Sequence, residues 1–272
     1  MNRQRRPNMA AKDTDGRTGQ VRAITRAVSV MRALSDSPEG LTLSETAQRA
    51  GLAASTAHRI LTTLESERFV RFDAGTGSWQ VGVAAFTVGA AFARTRDVIV
   101  MARPYMRRLM ETTGETANIF LESGGEIVCM AQVESRHAMR ALTRVGGRTK
   151  MHWSGAGKAM LAHMRPEHAK RVIEEHGLPR ATPRTLTDLD ALAEALERAR
   201  RDGVAVDDEE HAEGLRCIGA AVLTETGAPA AAISVSGPKS RIGDERLSQL
   251  RELVARVAGE VTREYGGRPP GS

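Results

Sequence analysis

The chain is 272 residues long, more than one domain usually holds, so two domains stand against one large one. Apolar residues make up 41% and aromatics only 3%, so Ala, Val, Leu and Gly must fill the interior. Residues 1–19 hold no apolar leader, no later stretch reaches about 18 uncharged apolar residues, and the two cysteines, Cys129 and Cys217, lack CxxC spacing; secreted, membrane-spanning and disulfide-stapled classes are set aside for a cytoplasmic one.

The net charge of +6 favours a polyanionic partner, and its distribution says more than its size. Residues 1–27 carry seven basic side chains (Arg3, Arg5, Arg6, Lys12, Arg17, Arg22 and Arg26) against Asp13 and Asp15. Residues 1–20 read as a disordered basic arm, whereas Arg22 and Arg26 open a helix.

In chain order, apolar residues at helical spacing predict helices over 23–35, 43–50 and 54–66. Asp36-Ser37-Pro38-Glu39-Gly40 stops the first, Thr42 or Ser44 caps the second, and Gly51 turns the chain after it. Strand, turn and strand follow at 69–72, 73–77 and 78–81, which is a hairpin. A connecting helix over 83–96 carries the domain linker. Beyond it come a helix at 98–112, strands at 116–122 and 126–133, and helices at 154–163, 166–176 and 189–201. Strands at 204–206, 217–224 and 230–235 and a long amphipathic helix at 244–265 complete a mixed α+β chain. The division expected is 1–20 arm, 21–82 winged helix-turn-helix, 83–98 linker helix, 99–265 effector-binding domain and 266–272 flexible tail.

Helix-turn-helix packing needs a small residue where the two helices approach and one tolerant of positive φ in the turn, and Ala47 and Gly51 supply them. Ala57 and Ile60 then face inward. Three helices followed at once by a two-stranded wing is the order of a winged helix, and Ser55, Thr56, His58 and Arg59 place hydroxyls, an imidazole and a guanidinium where base edges and phosphates would be met. Ser55 and Thr56 are equally suited to capping the helix. Arg71 on the wing, with Arg22 and Arg26, would flank the groove and add salt-dependent affinity for double-stranded operator DNA.

Three motifs, Ala-Ile-x-Arg-Ala-Val-x-Val-Met-x-Ala-Leu at 23–34, Leu-x-Glu-x-Ala-x-x-Ala-Gly-Leu at 43–52 and Ser-Thr-Ala-His-Arg-Ile-Leu-x-x-Leu at 55–64, resemble the DNA-binding domain of IclR-type regulators. His-x-Ser-Gly-Ala-Gly-Lys-Ala-Met-Leu-Ala at 152–162, Gly-Val-Ala-Val-Asp at 203–207, Cys-Ile-Gly-Ala-Ala-Val at 217–222 and Ala-Ile-Ser-Val-Ser-Gly-Pro at 232–238 resemble its effector domain. The resemblance spans about residues 21–265. It implies a winged helix-turn-helix followed by a GAF-like α/β effector-binding domain, and a transcription regulator, with repressor favoured over activator on prevalence in the family.

Catalytic templates mostly fail on this domain. Ser154 lacks the first glycine of a Gly-x-Ser-x-Gly elbow, Gly157-Lys158 lacks the upstream glycine of a P-loop, and no His/Cys/Asp cluster has zinc spacing. The expectation is no enzyme, no cofactor and no metal. A helix starting near Ser154 would instead aim the N–H groups of Gly155, Ala156 and Gly157 at an anion, although the glycines equally suit helix–sheet packing. The resemblance places Asp207, Cys217, Ser234 and Ser236 around the same effector pocket, and its likeness to glyoxylate-responsive members makes a small 2-oxo acid, glyoxylate or pyruvate, the implied effector. Cys217 as a buried apolar group and Lys158 as a helix-surface or structural charge stay open, and Leu142, Met151 and Trp153 could close the pocket or belong to the core. A homodimer or homotetramer is expected on a pseudo-palindromic site. The alternatives are a DNA-binding protein whose C-terminal domain only oligomerises, or a small-molecule enzyme.

Overall fold

The computed structural model describes residues 21–94, 97–138 and 143–269, so the expected arm over 1–20, Leu142 and the last three residues lie outside it. The chain divides into two compact units between Phe92 and Ala93.

In the first unit, α1 (Arg22–Ser35), α2 (Leu43–Ala50) and α3 (Ala54–Ser66) precede β1 (Val70–Asp73) and β2 (Ser78–Val81). The helical spacing of α1 buries Val30, Ala33 and Leu34 against Leu61, Val70 and Trp79. Thr42, not Ser44, caps α2: its side chain accepts from Glu45 N at 3.4 Å, while the Glu45 carboxylate accepts from Thr42 N at 2.9 Å. Gly51 ends α2 in the left-handed region at φ 65, and the turn closes with Leu52 N donating to Ala47 O at 2.9 Å. A backbone bridge between Leu41 and Trp79 ties the approach to α2 onto the wing. This is the winged helix-turn-helix that the motif order predicts. α4 (Val83–Arg94) begins in this unit, and residues 95 and 96 of the helix expected over 83–96 lie outside the described residues.

The second unit runs α5 (Asp97–Thr113), β3 (Thr116–Ser123), β4 (Glu126–Val133), β5 (Arg148–Lys150), α6 (Gly155–His163), α7 (Pro166–His176), α8 (Leu189–Asp202), β6 (Ala205–Asp208), β7 (Leu215–Leu223), β8 (Pro229–Pro238) and α9 (Asp244–Glu264). Its strands form one antiparallel sheet in the order β5-β4-β3-β8-β7-β6. β5 was not expected, because three residues, Arg-Thr-Lys, are too few and too polar to show a strand period.

Alternation divides the sheet. Ile119, Ile218, Ile233 and Val235 face α5 and α9 and pack with Met106, Leu109, Val254, Val257 and Val261. Phe120 and Ala232 pack with Met151, Ala156, Met160 and Leu161 around α6. Backbone touches backbone where α6 meets β7. A Cβ on Gly219 would lie 2.4 Å from Ala156 N, one on Gly155 would meet Cys217 O at 3.1 Å, and one on Gly157 would lie 2.4 Å from Met151 Cα. These glycines set how deeply the first turn of α6 seats on the sheet.

Backbone atoms on both sides of Gly219 cannot yield as a side chain would, so Gly219→Ala should lower stability by about 1–3 kcal/mol or more. Gly89→Ala, at a helical position with nothing within 4 Å of the added methyl, should be neutral or slightly stabilising. Thermal unfolding of the two variants against the parent checks the contrast.

Candidate functional site

In the first unit the exposed face of α3 carries Ser55, His58, Arg59 and Thr62, while Ala57 and Leu61 are buried beneath it. Ala53 is the N-cap residue and no side chain caps the helix, so the capping role open to Ser55 and Thr56 is not taken. Ser55 is exposed and Thr56 half-buried in the first turn. Thr62 and Thr63 donate their hydroxyls back to His58 O and Arg59 O at 2.9 and 2.8 Å, which leaves the imidazole and guanidinium of those residues to stand out from the helix. Arg22 and Arg26 are exposed on α1 and Arg71 is exposed on β1. Among the described residues, no ion pair engages these three arginines or Arg59. The result is a helix face of hydroxyl, imidazole and guanidinium groups with exposed arginines on α1 and the wing, the chemistry that reads base edges and grips phosphates.

In the second unit the register of the sheet assembles a second constellation. Opposite residues of antiparallel strands point to one face, so the pairings Asp207 with Cys217, Cys217 with Ser236 and Ser236 with Thr116 make one row across β6, β7, β8 and β3. Gly219, Ser234, Asn118 and Gln132 make the next. Both rows lie on the face that α6 covers. Ser154 caps α6, its hydroxyl accepting from Gly157 N at 3.4 Å, so the unpaired donors of the first turn are the N–H groups of Gly155 and Ala156, both buried against β7. Sequence reasoning counted three such groups; the Ser154 cap takes one.

The electrostatics of this face come from burial. Asp207 is 1% exposed, and desolvation raises its carboxyl to about pKa 7, although Glu210 N and His211 N donate to its Oδ1 at 2.8 and 3.2 Å and Lys158 lies close. Burial likewise pushes the Cys217 thiol well above its usual value, with the Asp207 charge adding to the effect, so the sulfur stays protonated. Lys158 is not on the helix surface: it is 2% exposed and donates to Glu210 Oε1, whose own carboxyl is pushed upward by desolvation. Met151 belongs to the core under α6. Trp153 is half-buried, donates to Thr149 Oγ1 at 2.7 Å and stacks on His211 with ring centroids 5.8 Å apart.

Sequence reasoning missed Asn118, Gln132 and Glu210. Asn118 is 1% exposed and donates to Ser236 Oγ at 3.0 Å and Ser234 Oγ at 3.5 Å; Gln132 donates to Asn118 Oδ1 at 2.9 Å. The signal was there in part, since Thr116 and Asn118 are polar at alternate positions among the otherwise apolar residues 116–121. Among the described residues no group of His, Cys, Asp or Glu could hold a metal ion, and no helix is long and apolar enough to cross a membrane. The arrangement is a buried row of hydroxyl, thiol and carboxyl groups under a helix N-terminus, the carboxyl titrating at about 7.

Residues 23–74 match the IclR helix-turn-helix domain, and residues 90–263 match the C-terminal domain of bacterial transcriptional regulators of the IclR type. The chain is 41% identical over 267 residues to the transcriptional repressor IclR of Escherichia coli K12, covering 97% of this chain and 96% of that one. It is 43% identical over 260 residues to the HTH-type transcriptional regulator BhcR of Paracoccus denitrificans, covering 96% and 91%. An IclR homologue from Microbacterium hydrocarbonoxydans, solved in complex with 4-hydroxybenzoate, superimposes with a TM-score of 0.75 at 26% identity over 89% of this chain and 99% of its own. Reading face, anion-suited row and near full-length likeness agree, and the chain belongs to the IclR family of bacterial transcriptional regulators, which are not enzymes.

Proposed function

We propose that this regulator is a repressor that binds a pseudo-palindromic operator as a homodimer or a dimer of dimers and releases it on binding a small 2-oxo acid such as glyoxylate or pyruvate. The observation that carries the ligand reading is the row of Asp207, Cys217 and Ser236 with Ser234 beside it, facing the N-terminus of α6 where Gly155 and Ala156 have N–H groups to give. All these side chains are short. They suit a compact, oxygen-rich ligand, whereas the 4-hydroxybenzoate of the Microbacterium homologue needs room for a ring. A repressor sign agrees with the Escherichia coli relative. The residues that meet DNA are Ser55, Thr56, His58 and Arg59 of α3, with Arg22, Arg26 and Arg71 on the flanking backbone.

Pairing of two copies follows from what the first unit leaves in water. On α4, Val83, Phe86 and Val88 are 68%, 75% and 61% exposed, and at the start of α1 the N-cap Val21 and Ile24 are 60% and 62% exposed. Faces this apolar are covered in an oligomer, and a two-fold pair presents two reading helices to two half-sites.

Fluorescence anisotropy with DNA from upstream of the regulator's own gene, with and without glyoxylate or pyruvate, tests the reading directly. Specific binding that weakens with one acid supports it; specific binding that is blind to both, with no heat of binding across a panel of organic acids, returns the second unit to a role in assembly alone. Arg59→Ala should cost about tenfold to a hundredfold in operator affinity and relax selectivity at one base pair, while Arg71→Ala should weaken all sequences alike and lower the salt slope by about one.

The ligand's anion meets an acid that must stay protonated to donate. Asp207 is held up at about pKa 7, so it donates below that value and repels a carboxylate above it. Affinity for pyruvate should be level at acid pH and fall by up to about tenfold per unit as pH rises through 7 and beyond, which calorimetry in matched buffers would read. Phe86→Glu should shift the protein toward monomer in sedimentation and cut operator affinity, with the ligand's heat of binding retained.

A further inference from the structure

The two serines of the sensing row have an orientation that can be traced to a single backbone carbonyl. Gln132 Nε2 lies 2.7 Å from Thr143 O and 2.9 Å from Asn118 Oδ1. A peptide oxygen can only accept, so the Gln132 atom facing it must be the NH2 group, not the carbonyl oxygen. The same NH2 group reaches Asn118, which therefore turns its oxygen toward Gln132 and its own NH2 toward β8. That NH2 donates to Ser236 Oγ at 3.0 Å and, at a longer reach, to Ser234 Oγ at 3.5 Å. A hydroxyl that accepts from a neighbour has its single hydrogen directed elsewhere. The Ser236 hydroxyl also lies in hydrogen-bond contact with the Cys217 sulfur, a contact that lowers the thiol's pKa and so has the hydroxyl as its donor, but a protonated sulfur is a weak acceptor that a ligand oxygen displaces. Among the described residues neither hydroxyl donates to a protein oxygen or nitrogen.

We infer that Asn118 and Gln132 are positioning residues of the effector site, which fix Ser234 and Ser236 as hydrogen donors toward the ligand and so make the site selective for a carboxylate over its neutral amide. The inference rests on the ligand reading above and deepens it: the recognised class is an anion that brings acceptors only. Four residues on three strands, β3, β4 and β8, carry the relay, and its origin at Thr143 is outside the sheet. A polarity imposed from the backbone is rigid in a way that a free serine rotor is not, because reversing it requires two amides to turn and a buried acceptor to lose its donor.

Asn118→Asp tests this in the full-length protein. A carboxylate at 118 accepts from both serines, turns their lone pairs toward the ligand and reverses the preference of the site. Calorimetry with pyruvate and pyruvamide gives the ratio of the two affinities for each protein. The parent should favour pyruvate, and the ratio should fall by about tenfold or more in Asn118→Asp. Gln132→Met, which removes the donor that holds Asn118 without adding charge, should lower the same ratio by a smaller factor and provides the reading if the aspartate variant does not fold. A purely structural role would reduce both affinities together and leave their ratio unchanged; that result in a folded variant overturns the assignment while the carboxylate reading stands. A parent protein that binds pyruvate no better than pyruvamide, or binds neither, overturns both.

Discussion

The seating of α6 on the sheet decides what the second unit can do. Three glycines, 155, 157 and 219, carry no Cβ at the contact, so the first turn of the helix meets the backbone of β7 and of Met151 at distances that a side chain at those three positions would not permit. Close seating has two consequences. It buries the helix from Gly155 to Ala162 all round, Lys158 included, and it brings the positive end of the helix over the polar rows of β6, β7, β8 and β3. A looser helix would admit water, and both the raised pKa of Asp207 and the advantage of aligned N–H groups would fade with it.

A lysine buried in that contact needs a partner, and Glu210 supplies one from the segment just beyond β6. The pair is therefore less a source of net stability than a constraint on where the segment after Asp207 runs, because separating a buried pair leaves an uncompensated charge. The same segment gives Asp207 two N–H donors and places His211 on Trp153. Helix, strand end and loop are thus fixed to one another around the carboxyl, which is what a site needs if a small molecule is to bias the position of larger parts.

The reading unit was legible nearly throughout, for local reasons. Helical spacing, a residue at positive φ in Gly51 and a hairpin within a dozen residues are all short-range signals, and the elements they predict are the elements found. The polar face under α6 was legible only by resemblance. Asp207, Cys217, Ser234 and Ser236 are carried on three strands, and nothing in their spacing says which register brings them side by side. Asn118 and Gln132 needed more still, since a register shift in β3 and β4 between Ile119 and Phe120 decides which residue of β4 stands opposite Asn118. Lys158 stayed open between a surface and a structural charge because a helix buried on every side has no polar stripe from which to tell them apart, and the structure shows the structural one.

The polarity traced from Thr143 bears on metabolism as much as on affinity. An oxo acid brings oxygen acceptors alone, whereas the hydroxy acid formed by its reduction and the amino acid formed by its transamination each bring a hydrogen that must find an acceptor. On the proposed reading, a site whose serines and helix N–H groups give hydrogens leaves that extra donor unpaired, and a buried unpaired donor is costly. Such a site would distinguish redox and amination states of one carbon skeleton, so the proposed gene switch would respond to the balance between a metabolite and its products rather than to the skeleton's total abundance.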